Sequence, residues 1–186
     1  RDVTIREIAR EAGQKNVGVV GYYFGSKENL VCEILVDGAK LIEARRNAHL
    51  DRLEAAGGPL TVREAVEALV LPSAQFGEAD AENAAHYNRF LLQLSMSDGA
   101  LIERTLEGRW NGGYQRCLTH LRRLMPAMPL AAKNRRFVFM GSYLSSLLAL
   151  RESMLEDASR EHPTWRSQAL LQDIVQTTTA ILEAAV

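Results

Sequence analysis

The sequence predicts an all-α protein, and two observations support this fold class. Apolar residues recur with the 3.6-residue period of an α-helix along almost the whole chain, and no stretch sustains the two-residue alternation of a β-strand. Two segments also contain a capping box, in which a threonine and a glutamate three positions later satisfy free N–H groups at a helix start. These pairs are Thr4 with Glu7 and Thr61 with Glu64, and Ser26 offers a further N-cap.

Turn-forming residues divide the chain into eight predicted helices. The predicted helices span residues 4–12, 16–23, 27–53, 61–75, 80–94, 99–124, 130–158 and 164–184. The first two are much shorter than the others. We therefore expect a small domain over residues 1–50 and a larger helical domain over residues 51–186.

The composition is that of a folded protein, since 47% of the residues are hydrophobic and 24% are charged. No apolar run reaches the roughly 18 residues that a membrane span needs. Cys32 and Cys117 have no CxxC spacing, so we expect reduced thiols in a cytoplasmic protein, with a disulfide or a redox sensor as the alternative. The net charge of −1 does not indicate nucleic-acid binding, and residues 1–27 offer only a small basic face.

The segment from Thr4 to Leu30 contains two short predicted helices joined by a tight turn. Gly13 follows the first helix, where a glycine can adopt the left-handed conformation that closes the last turn. Gly25 follows the second. Two short helices with such a turn are what a helix-turn-helix requires, with one helix bracing across the DNA backbone and the second in the major groove. Short helix pairs also occur in helical proteins that do not bind DNA.

Two runs within this segment are more specific. Residues 4–13 read TIREIAREAG and residues 22–30 read YYFGSKENL. Together they closely resemble the DNA-binding signature of the TetR family of transcription regulators, whereas the rest of the chain agrees only in length and helical layout. The resemblance implies a helix-turn-helix head and a larger ligand-binding and dimerisation domain. It further implies a dimeric repressor that binds double-stranded operator DNA and is released by a small-molecule effector.

The resemblance also implies roles for single residues. Thr4, Tyr22 and Lys27 would contact phosphates, and the segment 16–21 would face base edges. Tyr22 could instead pack within the protein, and Lys27 could be a solvated lysine, although the helix dipole disfavours a cation in a first turn that no phosphate approaches. The small core of the head would consist of Ile5, Ile8, Ala9, Phe24 and Leu30.

Three features depart from the family pattern. The first helix of the head is absent from this sequence, so we expect a longer protein. The turn through Gln14, Lys15 and Asn16 is one residue longer than usual, which leaves the register of the recognition helix open. That helix reads VGVVG over residues 17–21, and each glycine weakens it by about 1 kcal/mol relative to alanine. Direct readout is then expected at Gln14, Lys15 and Asn16, with Val19 able to touch a thymine methyl group.

The larger predicted domain holds most of the large apolar side chains. Aromatic residues at helical spacing usually form core, and the resemblance raises the alternative that some of them line an effector cavity. Interspersed polar groups would orient a ligand in such a mostly apolar pocket. The candidate effector-binding residues are His86, Tyr87, Arg89, Phe90, Gln93, Trp110, Tyr114 and Tyr143.

The last two predicted helices are expected to form a dimer interface. The apolar arc from Leu170 to Leu182 is wider than one contact needs, and small residues around Ser145 allow a close helix approach. We expect a four-helix bundle on a two-fold axis, built from residues 130–158 and 164–184 of each subunit, with Ile174 in the interface.

No enzyme motif is present: the sequence lacks a P-loop, a Rossmann glycine pattern, a nucleophile elbow and the Glu-x-x-His pair of a di-iron bundle. We therefore expect no catalytic residues, metal or cofactor. The main alternative to a regulator is a helical ligand-binding or scaffold protein that does not read DNA, which the recognition helix rich in glycine and valine makes conceivable.

Overall fold

The computed structural model describes residues 3–75 and 86–185, and these residues form helices and connecting turns without β-strands. The all-α prediction is confirmed for this part of the chain. The helices are α1 Ile5–Glu11, α2 Gly18–Phe24, α3 Lys27–Ala55, α4 Val62–Ala74, α5 Tyr87–Leu106, α6 Gly112–Leu124, α7 Leu130–Glu156, α8 Pro163–Arg166 and α9 Gln168–Glu183. None of them is long and apolar enough to cross a lipid bilayer.

The predicted caps are present. The hydroxyl of Thr4 accepts from the backbone N–H of Glu7 at 3.2 Å, and the N–H of Thr4 donates to the Glu7 carboxylate at 2.8 Å. Thr61 and Glu64 form the same pair of bonds, at 3.2 and 3.1 Å. Ser26 accepts from the N–H of Asn29 at 3.0 Å. Capping depends on neighbours three residues apart, so the sequence alone predicts it well.

Two predicted helices are wrong as continuous elements. The break predicted near residues 95–98 is present as a kink at Asp98, but the helix predicted over 99–124 ends at Leu106 and resumes at Gly112. Glu107 and Trp110 in this link have left-handed φ values of 45° and 57°, which the sequence pattern does not announce because neither is a glycine. The helix predicted over 164–184 is divided at Ser167, whose side chain caps α9. Residues 80–85 of the fifth predicted helix lie outside the described residues.

The main core surrounds α4, which packs against α3, α6, α7 and α9. Its fully buried side chains include Leu50, Val66, Leu121, Met140 and Leu182. Ile174 belongs to this core with only 2% of its surface exposed, so its expected place in a dimer interface is wrong. The apolar arc of α9 is wide because α4 and α7 cover it within the same chain.

Helix α3 contacts both the short N-terminal helices and the helices of the main core. It packs against α2 near its start and against α4, α5 and α6 further along. Because it is one continuous helix of 29 residues, it fixes the position of the N-terminal helices relative to the main core. The proposed boundary near residue 50 therefore falls inside a helix that both regions share.

Candidate nucleic-acid interface and ligand cavity

A Schellman motif forms the turn after α1. The N–H of Gly13 donates to the carbonyl of Arg10 at 3.0 Å, and the N–H of Gln14 donates to the carbonyl of Ala9 at 2.8 Å. Gly13 has a φ of 67°, the left-handed conformation that this motif requires. The turn therefore satisfies the carbonyl groups of Ala9 and Arg10 at the end of α1.

The second short helix begins at Gly18, two residues later than predicted. The N–H of Gly18 donates to the side-chain oxygen of Asn16 at 2.9 Å. Within α2 only Val20 is buried, with 4% of its surface exposed. The proposed head core did not include Val20. Of the residues proposed for it, Ala9 is buried while Ile5, Ile8, Phe24 and Leu30 are half-buried.

Much of α2 and the whole turn before it are exposed to solvent. Tyr22 is 83% exposed and Tyr23 is 71% exposed, and their rings meet edge to face at 5.0 Å. Gln14, Lys15 and Asn16 are also exposed, whereas Val19 is half-buried. The side chains of Gln14, Lys15 and Tyr22 are thus accessible, whereas the Asn16 oxygen already accepts from the N–H of Gly18.

Thr4 and Lys27 both lie close to the carboxylate of Glu7. The Thr4 hydroxyl donates to the Glu7 carboxylate at 2.8 Å. Hydrogen bonds from Thr4 lower the pKa of Glu7, and the nearby charge of Lys27 makes a smaller contribution in the same direction. Thr4 and Lys27 therefore share one neighbourhood with an acidic group, which any phosphate bound there would have to approach.

A cavity of about 260 Å³ lies among α3, α4, α5, α6 and α7. Most of its wall is apolar, with Ile42, Leu91 and Leu144 among the contributors. Its polar groups come from Arg46, Ser73, Asn88, Asn111 and Ser145. This mixture suits a small organic ligand that is held by its apolar body and oriented by a few polar contacts.

Three of the predicted effector-binding residues line the cavity: Tyr87, Trp110 and Tyr114. Tyr87 is fixed by a hydrogen bond from its hydroxyl to the carbonyl of Leu35 at 2.8 Å. Its burial raises its pKa well above the usual tyrosine range. Trp110 reaches the cavity from the link between α5 and α6.

The other five predicted residues are not among the cavity-lining residues. Arg89 forms an ion pair with Glu156 at 2.7 Å and contacts the Nδ1 atom of His86 at 2.8 Å. Tyr143 shares a hydrogen bond of 2.6 Å with Thr177 between α7 and α9. Phe90 packs beside Tyr87, and Gln93 is exposed. The lining residues from α5 are Tyr87, Asn88, Leu91 and Leu106.

Arg46 is the main site residue that was not predicted from the sequence. Only 7% of its surface is exposed, and its Nη2 group donates to the Ser73 hydroxyl at 3.1 Å and to the Leu69 carbonyl at 3.5 Å. Its nearest carboxylate oxygen, on Glu43, lies 3.9 Å from Nη1. A signal was available, because Arg46 falls at helical spacing between Ile42 and Leu50 on the buried side of α3.

Two atoms of this buried pair lack hydrogen-bond partners, namely Nε of Arg46 and Oε2 of Glu43. The other Glu43 oxygen accepts from the N–H of Gly113 at 2.8 Å, at the start of α6. Burial lowers the pKa of Arg46, and the negative charge of the Glu43 carboxylate opposes that change. Arg46 therefore lines the cavity, and part of the donor capacity of its guanidinium group is unused.

The N-terminal end of α5 is held against α7 by Glu152. Its carboxylate accepts from the N–H of Asn88 at 3.0 Å and from the N–H of Arg89 at 2.8 Å. The Asn88 amide adds bonds to Glu152 at 2.7 Å and to the Ser73 carbonyl at 3.1 Å. These contacts make this side of the cavity a fixed wall.

No protein-family model matches the chain, and no curated protein matches it. Residues 3–75 and 86–185 contain no group of three or more His, Cys, Asp or Glu side chains placed to hold a metal ion.

Proposed function

We propose that the protein is a ligand-responsive transcription regulator of the TetR type, in which α1 and α2 bind operator DNA. The observation that carries the proposal is the exposure of α2. This helix is anchored through the buried Val20 and follows a tight glycine turn. Its two tyrosines, Tyr22 and Tyr23, are largely exposed to solvent. A helix placed in this way is available to a partner surface, and a major groove is the surface that a helix-turn-helix fits.

The contacts to DNA would divide into two kinds. Thr4, Tyr22 and Lys27 would contact phosphates and fix the orientation, while Gln14, Lys15 and Asn16 would reach base edges. Asn16 would read bases through its amide N–H groups, because its oxygen already accepts from the N–H of Gly18.

The continuous helix α3 supports a link between ligand and DNA. Its first turn follows α2 directly, and Ala39, Ile42 and Arg46 on the same helix line the cavity. Ala39 lies twelve positions after Lys27, which is about 18 Å along a helix axis. A ligand that displaced α3 at the cavity would therefore displace the helix pair attached to its start, and this would release operator DNA.

Dimerisation would place two such heads on one operator, since a single recognition helix contacts few bases. We retain residues 130–158 and 164–184 as the proposed interface. The support comes from α7, on which Phe139 and Leu150 are 53% and 44% exposed. The exposed small residues Ser142 and Ser146 lie between them at helical spacing.

The test is selection of binding sites from a randomised DNA library with the full chain, followed by titration of the selected site. Lys27→Ala and Tyr22→Phe should weaken binding to every sequence, whereas Lys15→Ala and Asn16→Ala should change the preference among sequences. Lys27→Ala should also reduce the magnitude of the salt-dependence slope by about 0.9. Arg63→Ala, which removes an equal charge on α4, is the control and should leave both quantities unchanged.

Failure to select any sequence would refute the regulator and favour a helical ligand-binding or scaffold protein. An unchanged salt slope in Lys27→Ala would remove only the assignment of Lys27 to a phosphate.

A further inference from the structure

We propose that the cavity binds a small monocarboxylate with an apolar body, whose carboxylate accepts hydrogen bonds from Arg46. The proposal names the chemical class of the effector and rests on the proposed function for that regulatory role. The binding itself does not require DNA, so the two can be tested separately.

The charge of the cavity wall favours an anion. Among the described residues that line the cavity, Arg46 is the only one with a charged side chain. Its partner Glu43 is not one of the lining residues, and that carboxylate is held by the N–H of Gly113 at 2.8 Å. A ligand in the cavity therefore meets the positive member of the pair.

The unused donor capacity of Arg46 favours a carboxylate. A guanidinium group has five N–H donors and no acceptor. Nη2 uses the Ser73 hydroxyl and the Leu69 carbonyl, Nη1 lies 3.9 Å from Glu43, and Nε has no partner although it is buried. Leaving such a donor unsatisfied is costly, and a carboxylate can accept from two guanidinium N–H groups at once. An incoming carboxylate would thus supply the acceptor that the fold lacks.

The remaining wall describes the rest of the ligand. Ile42, Leu91, Trp110 and Leu144 surround the space and offer no second charge. The volume of about 260 Å³ lies just below the range of roughly 300–1,000 Å³ that is typical of drug-sized ligands. A short aliphatic chain or a single aromatic ring would fill it.

The experiment is isothermal titration calorimetry on the full chain with matched probes. The probes are hexanoate, octanoate and 3-phenylpropanoate, each compared with its primary amide, which has the same shape without the charge. At least one carboxylate should bind, and about tenfold or more tighter than its amide, because a hydrogen bond between charged groups is stronger than a neutral one. The absence of binding by all three carboxylates, or equal affinity of acid and amide, would overturn the proposal.

Variants locate the contact. Arg46→Met should remove the preference for acid over amide, with a loss of carboxylate affinity of about tenfold to a hundredfold. Arg46→Lys should retain part of the preference, since an ammonium group is charged but cannot donate in the same fork. Arg116→Met, at an arginine of α6 that is not a lining residue, is the control and should bind like the parent. An intact preference in a folded Arg46→Met protein would overturn the proposal, and if that variant does not fold, the comparison of acid and amide on the parent decides.

Operator binding is measured in parallel by gel shift. A carboxylate that binds through Arg46 in a protein that selects no DNA sequence would sustain this inference and refute the proposed regulator. Sequence-specific DNA binding without any preference for carboxylates would support the proposed regulator and refute this inference.

Discussion

The head (residues 3–30) and the body (residues 62–75 and 86–185) are stabilised in different ways, although α3 joins them. In the head the only buried side chains are those of Ala9 and Val20. In the body a continuous core extends from α4 to α9 and contains large side chains such as Leu121 and Met140. Since the hydrophobic contribution scales with the buried apolar area, the head gains little from packing and the body gains most of its stability from it.

Local hydrogen bonds replace part of what the head lacks. The capping box at Thr4, the turn at Gly13 and the cap at Ser26 all join residues that are close in sequence. Each cap contributes about 1 kcal/mol, which is small beside a large buried side chain in the body. We therefore expect the head to open locally at a lower free energy than the body unfolds.

The largest expected effect is that of Ile174→Asp, which places a carboxylate among fully buried apolar residues of the body core. The change should cost about 4 kcal/mol or more, because a charge in an apolar core has no compensating partner. Chemical denaturation followed by circular dichroism measures it. The control Gln176→Asp, at an exposed position of the same helix, should change stability by less than about 1 kcal/mol. If the Ile174→Asp protein instead remained folded and lost only its ability to dimerise, Ile174 would lie in a dimer interface.

Gly38→Ala tests the junction between α3 and α5. The ring of Tyr87 lies directly on Gly38, so an added methyl group would collide with it and disturb the bond from Tyr87 to Leu35. We expect a loss of about 1–3 kcal/mol, as for other overpacked positions. Gly21→Ala in the head is the matched control, since no atom lies near its added methyl group, and it should stabilise α2 by about 0.5–1 kcal/mol. Thermal denaturation of both variants distinguishes them, and a more stable Gly38→Ala protein would contradict the packing of Tyr87 on Gly38.

The two capping boxes provide a direct comparison of the regions. Thr61→Ala and Thr4→Ala remove the same bonds and should each cost about 1 kcal/mol locally. Native-state hydrogen exchange should show the Thr61→Ala loss across the body, because α4 lies in its core, whereas the Thr4→Ala loss should be confined to α1 and α2. Equal effects on all amides in both variants would mean that head and body unfold as one unit.

Low pH should weaken both capping boxes, because the glutamate in each becomes protonated. Backbone hydrogen bonds lower the pKa of Glu7 and of Glu64, in each case chiefly those from the start of the helix. A lowered folded-state pKa means that the stabilisation is present above the ordinary glutamate value of about 4.3 and is lost as the pH falls through the lowered value. Glu7→Gln and Glu64→Gln should flatten this part of the pH dependence of amide exchange between pH 6 and 3, each in its own region. An unchanged pH profile in either variant would show that its carboxylate does not titrate with the helix start.

Features that depend on near neighbours could be predicted from the sequence. The all-α class, the caps at Thr4, Ser26 and Thr61, and the glycine turn at Gly13 all follow from interactions within about five residues. A break over residues 95–98 was also predicted from their turn-forming residues, and it is present as the kink at Asp98, whose carboxylate accepts from the N–H of Leu101 at 3.0 Å. For these elements the sequence contains both partners of each interaction.

Which residues line the cavity was determined by the tertiary structure. The pattern of α5 shows that aromatic residues share a helix, but the packing of α5 against α3 and α7 turns Tyr87 inward and leaves Gln93 exposed. Arg46 is held at the cavity by hydrogen bonds to Ser73 and Leu69, which lie more than twenty positions away in the sequence. The same reason explains Ile174: an amphipathic pattern shows that one face of a helix is covered, but only the packing of the whole chain decides whether its own helices or another molecule covers it.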